Sequence, residues 1–93
     1  MEENGRHINI TINGRVQGVA FRYSARSMAL HLGLKGFVKN MPNGEVYIEV
    51  EGNTEQTDEF LLWSREGPSR AHVKSVFVTE GAWRGFQGFE IRF

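Results

Sequence analysis

The stretch "GRVQGVAFR", from Gly14 to Arg22, brings together residue types that can hold an anion. Gly14 and Gly18 let the backbone turn sharply and approach a ligand closely. The loop leads into a helical pattern, and a helix N-terminus carries unpaired N–H groups and a partial positive charge. Successive amides from Val16 to Arg22 can converge on one concavity. Arg22 adds a planar, permanently charged fork matched to phosphate or carboxylate. The guest expected from these features is a small anion with several oxygens, a phosphoryl group above all. Neither the nucleotide-binding GxxxxGK[ST] pattern nor the dinucleotide GxGxxG pattern is present.

Asn40, in "GFVKNMPNGEV", is the second residue of interest. It falls near the end of an expected strand, where a side chain can reach neighbouring loops. An amide offers donors and an acceptor, so it can orient a water without being consumed. Asn43, beside Gly44, is the better turn residue, which leaves Asn40 without a local structural task. Strand alternation sends Lys39 to the face opposite Asn40. His7, His31 and His72 show no ligand spacing such as HExxH and are expected to pack or face solvent, so no metal site is expected. Ser24 has no paired base and reads as a structural hydrogen-bonding residue rather than a nucleophile.

The elements that must position these residues follow from periodicity. "HINITING" alternates, with Ile8, Ile10 and Ile12 on one face of a half-buried strand. Ala25, Met28, Ala29 and Leu32 repeat at helical spacing, and Gly33 suits the position just past a helix end, which predicts a helix over Phe21 to Leu32. Asn43-Gly44 predicts a hairpin between two strands, because both residues tolerate positive φ. Val46, Ile48 and Val50 share one face of the second strand. A second helix is expected from Asn53, capped by that residue with Gln56 as its capping-box partner, to Gly67-Pro68. Phe60, Leu61 and Trp63 are its expected buried side, and Trp83 is likewise expected to pack rather than to stack a ligand. "HVKSVFVTE" is a strand, "GAWRGFQG" a loop, and "FEIRF" a short last strand with Phe89, Ile91 and Phe93 on one side. Glu2 and Glu3 belong to an N-terminus expected to fray.

The order is β-α-β-β-α-β with a short extra C-terminal strand. It predicts an α+β, ferredoxin-like sandwich with a mainly antiparallel sheet and two helices on one face. The 93 residues are expected to form one domain, residues 1–93. The chain has no cysteine, which excludes disulfides and thiolate metal sites and fits a reducing, cytoplasmic setting. No long apolar run indicates a signal peptide or a membrane anchor. Zero formal net charge argues against general nucleic-acid binding, and Tyr47 and Phe77 do not make the aromatic motif of an RNA-binding sheet.

Both stretches match the signatures of one family. Gly14 through Arg22 fit G-x-V-Q-G-V-x-F-R, and Gly36, Phe37, Val38, Lys39, Asn40, Gly44, Val46 and Gly52 fit a second pattern in register. The chain thus resembles the acylphosphatases, small enzymes that hydrolyse carboxyl–phosphate bonds, and the resemblance runs over nearly its whole length. It implies that Arg22 binds the substrate phosphate and that Asn40 orients the attacking water. It implies further that the loop amides of Arg15, Val16, Gln17, Gly18, Val19, Ala20 and Phe21 complete the phosphate cradle, with no cofactor. The expected partners are a small acyl phosphate and the product inorganic phosphate, with no nucleic acid or membrane, for a monomeric enzyme. Neither motif has an Asp, Glu or His among its matched positions to act as base, so a substrate oxygen is expected to take the water's proton. A non-catalytic module binding a phosphorylated ligand in the same pocket is the alternative. Similar domains also occur within larger carbamoyl-transfer maturation enzymes, and an end at Phe93 favours a free-standing enzyme. The family most often has glycine where this chain has Ala20. If that position must be left-handed, alanine strains the cradle; if not, the change is close to neutral.

Overall fold

The computed structural model describes residues 5–93, so Glu2 and Glu3 lie outside it. The elements are β1 (Arg6–Arg15), α1 (Phe21–Leu32), β2 (Lys35–Asn40), β3 (Val46–Gly52), α2 (Thr54–Glu66), β4 (His72–Gly81) and β5 (Phe89–Arg92). The sheet order is β4-β1-β3-β2-β5. All neighbours run antiparallel except β5, which pairs parallel to β2. This is the expected α+β, ferredoxin-like arrangement.

Alternation places the core on the helix side of the sheet. Ile8, Ile10 and Ile12 of β1 and Val46, Ile48 and Val50 of β3 are all fully buried. Each contributes roughly 1.5–3 kcal/mol by leaving water. From above they meet Phe21, Ala25 and Ala29 of α1 and Phe60 of α2, all buried. The small alanines let α1 lie close to the strands. On α2 the fully buried side is Thr57, Phe60 and Ser64, while Leu61 and Trp63 are only half-buried. The polar pair is tolerated because each hydroxyl bonds a carbonyl one turn back, Thr57 to Asn53 and Ser64 to Phe60. Trp63 leans across Phe21 and Phe60, with ring centroids 5.3 and 5.6 Å away, and so ties the two helices together.

Local chemistry ends each element as expected, with one difference. Asn53 and Gln56 form the reciprocal capping box of α2. Gly33 closes α1 in the left-handed region. At the β2–β3 turn, however, Gly44 alone takes a positive φ, and Asn43 does not. Gly44 N–H bonds the Met41 carbonyl, so the turn is Met41-Pro42-Asn43-Gly44, with Pro42 at its favoured second position. Asn43 instead uses its side-chain oxygen to accept from Glu45 N–H. A longer loop with the glycine as the last residue of the turn replaces a two-residue hairpin.

The other face of the sheet carries a buried polar cluster. Glu51 accepts N–H bonds from Arg84, Gly85 and Phe86 and lies 2.7 Å from Nδ1 of His7. Burial alone would raise this carboxyl, but the Arg84 amide, His7 and the Phe86 amide hold it below its ordinary value. The loop before β5 is pinned to β3 in this way. Next to it, Tyr47 donates to Glu49, and burial together with that bond pushes the phenol up to about 12. Lys39 sits on this face too, over the Tyr47 ring and opposite Asn40 as alternation requires.

Candidate active site

Residues 16–20 connect β1 to α1. A register shift at Asn13/Gly14 interrupts the pairing of β1 with β4, which then resumes through Gly14 and Arg15 up to the start of the loop. Gly14 has φ 133, and a Cβ there would lie 2.2 Å from the His72 carbonyl oxygen, so no other residue fits. Val16 and Val19 bury their side chains in the core and anchor the loop at two points. Among the described residues, no N–H from Gln17 to Ala20 donates to a backbone carbonyl. The first amides of α1 are unpaired as in any helix, and Ala20 supplies no side-chain cap. A row of free donors therefore surrounds the start of α1.

Ala20 is left-handed, with φ 61 and ψ 28, and is the one non-glycine residue with positive φ among those described. The sequence left this point open, and the backbone answers it. The conformation costs alanine roughly 1–2 kcal/mol. Glycine would relieve that, less about 0.4–1 kcal/mol for its freer unfolded chain. Ala20→Gly is therefore expected to stabilise the fold by about 0.5–1 kcal/mol, measured as a rise in the urea midpoint at unchanged slope.

The loop, α1 and β2 enclose a small cavity of about 200 Å³. Val16, Gly18, Ala20, Phe21, Arg22, Tyr23 and Asn40 line it. The two motifs, eighteen residues apart from Arg22 to Asn40, thus meet at one place. Gln17 is what joins them. Its amide donates to the carbonyls of Met41 at 2.8 Å and Glu45 at 2.9 Å, strapping the loop to the turn that follows Asn40. Arg15 stays in β1, paired with His72, and Val19 is packed inward. Arg15, Gln17 and Val19 do not line the cavity.

Arg22 is held from behind. One Nη donates to the Arg92 carbonyl at 3.4 Å, and the guanidinium lies 4.6 Å from the Phe93 ring centroid. These contacts leave donors for an anion in the cavity. They also correct the reading of the last strand: Phe93 lies past the end of β5, highly exposed, instead of joining Phe89 in the core. Only the fold brings residues 92 and 93 to Arg22, and no local signal in the sequence marked them.

Asn40 shows the opposite condition. Its Oδ1 is buried and has no hydrogen-bond partner among the described residues. An unsatisfied buried acceptor costs about 1–3 kcal/mol, and such a group calls for a reason. Asn40 lines the cavity that Arg22 and the free amides share, and a turn of its amide about the last side-chain bond would present this oxygen to a water seated there. Among the described residues no group of three or more His, Asp or Glu side chains is placed to hold a metal ion, and no helix is long and apolar enough to cross a membrane.

Comparison with known proteins places the chain in one family. The family model "Acylphosphatase" matches residues 8–91. A protein of Methanocella arvoryzae named acylphosphatase is 45% identical over 85 residues, covering 91% of this chain and 97% of its own. The structure of an acylphosphatase from Coxiella burnetii superposes with a TM-score of 0.94 at 36% identity, over 97% of this chain and 95% of that one. The Bacillus subtilis acylphosphatase gives 0.92 at 34% identity, over 95% and 99%.

Proposed function

The chain belongs to the acylphosphatase family, and on that premise we propose that it hydrolyses acyl phosphates to a carboxylate and inorganic phosphate in the cavity between α1 and β2. The transferred phosphoryl group sits against the amides around Ala20, where the N-terminus of α1 favours negative charge. Arg22 closes on its peripheral oxygens. These carry the charge in a loose transition state, so donors fixed before the reaction lower the barrier. Water on Asn40 Oδ1 attacks phosphorus. The new P–O bond forms as the bond to the acyl oxygen breaks, and the electron pair leaves with the carboxylate. A carboxylate leaves without being protonated, and the water's proton passes to a phosphoryl oxygen. No protein base is required, which suits a cavity lining without Asp, Glu or His.

The single observation that carries catalysis over simple binding is the unpartnered Oδ1 of Asn40. An acceptor oxygen beside a phosphate repels it and weakens binding. It helps only if a water stands between. The residues are proposed to work as one domain, and as a monomer.

Hydrolysis of benzoyl phosphate in ¹⁸O-enriched water tests this path. Direct attack on phosphorus places the label in inorganic phosphate and none in benzoate. Label in benzoate would mean attack at the carbonyl carbon, and the proposed roles of Asn40 and Arg22 would fall.

A further inference from the structure

A cavity of about 200 Å³ is small beside the 300–1,000 Å³ of typical small-molecule sites. It has room for a phosphoryl group and a water, and the acyl part of a substrate must lie outside it. Tyr23 stands at the exit. It is among the residues that line the cavity, and it also borders a second, shallower groove of about 370 Å³ along α1, whose other walls are Ser24, Ser27, Met28 and His31. The two spaces therefore share Tyr23 as a common lining residue.

Helix geometry makes the groove. Tyr23, Ser27 and His31 follow each other at four-residue steps, and Ser24 and Met28 form the adjacent row. The serines are short, so a channel runs between a ring at one end and an imidazole at the other. Tyr23 is 60% exposed, an aromatic surface that the fold itself leaves uncovered. Direction matters as well. In-line displacement puts the leaving oxygen away from the attacking water. Asn40 comes from β2, whereas Tyr23 comes from α1, so a leaving group directed away from Asn40 passes to the helix side.

We propose that Tyr23 and the groove behind it are the acyl subsite, selecting flat or extended apolar acyl groups over acetyl. The proposal rests on acyl phosphate hydrolysis in the adjoining cavity. The ring face of Tyr23 covers the acyl carbons next to the scissile bond, and the methylene groups of Met28 continue the apolar surface.

The test compares kcat/KM for benzoyl phosphate and acetyl phosphate in the wild type, Tyr23→Ala and Tyr23→Phe. Tyr23→Ala should lower the benzoyl-to-acetyl ratio about tenfold, which corresponds to about 1.4 kcal/mol. Tyr23→Phe, which keeps the ring, should retain the wild-type ratio. A ratio unchanged in Tyr23→Ala, or a Phe variant that behaves like Ala, overturns the subsite while leaving phosphoryl chemistry intact. Hydrolysis of neither substrate by the wild type overturns the functional reading and the subsite with it.

Discussion

Replacing Arg22 with alanine should lower kcat/KM for an acyl phosphate about 10³- to 10⁴-fold. An arginine on a transferring phosphoryl group is worth roughly 10³–10⁵ in rate where it has been removed or supplied. Among the described residues Arg22 is the one charged residue that lines the cavity, so no second charge there replaces it. Inorganic phosphate should lose affinity as well, because the guanidinium holds ground-state oxygens too. Arg22→Lys should recover only part of the rate. Lysine restores the charge but not the two-pronged fork, and it loses the planar contact with the Phe93 ring. Neither change should unfold the protein. The contacts behind Arg22 are one long hydrogen bond and one exposed ring, together worth about 1–2 kcal/mol. Steady-state kinetics, with phosphate as a competitive inhibitor, reads both effects.

Asn40→Ala should separate catalysis from binding. Turnover is expected to fall about 10²- to 10³-fold, the cost of losing the alignment of one reactant. The inhibition constant of inorganic phosphate should stay within about threefold, because Arg22 and the loop amides supply the charge-assisted bonds that hold the anion. Stability should not fall as it does for most buried truncations. The fold gains nothing from an acceptor with no partner, so removing it leaves the melting temperature unchanged or higher. A residue that weakens the fold and serves the reaction is the familiar trade-off at active sites. Parallel loss of turnover, phosphate affinity and stability would instead make Asn40 a structural residue.

The layout of the fold was largely legible because the sequence repeats one simple signal. Ile8, Ile10 and Ile12 alternate, Ala25 and Ala29 recur at four residues, and Asn53 with Gln56 announces a cap. Each is local, and each is also what the packed structure uses. The two motif residues were legible for the same reason, since Gly14 to Arg22 and Asn40 lie in contiguous stretches. What could not be read depends on distance along the chain. Phe93 alternates with Phe89 and Ile91 as if it were core, but β5 ends before it, and it lies against Arg22. Nothing near Gln17 says that its amide reaches the carbonyls of Met41 and Glu45. Thr57 and Ser64 looked polar and turned inward, because a helix lets their hydroxyls bond its own carbonyls. Glu51 gave no sign that it would anchor the loop before β5, since its partners are backbone amides, which every residue but proline carries.

The most direct measurement is the release of inorganic phosphate from benzoyl phosphate by the purified chain in excess EDTA, beside Arg22→Ala and Asn40→Ala. The account predicts saturable turnover by the wild type that chelation does not reduce, with both variants reduced at least 100-fold. Wild-type phosphate binding without turnover, or turnover that survives both substitutions, would contradict it.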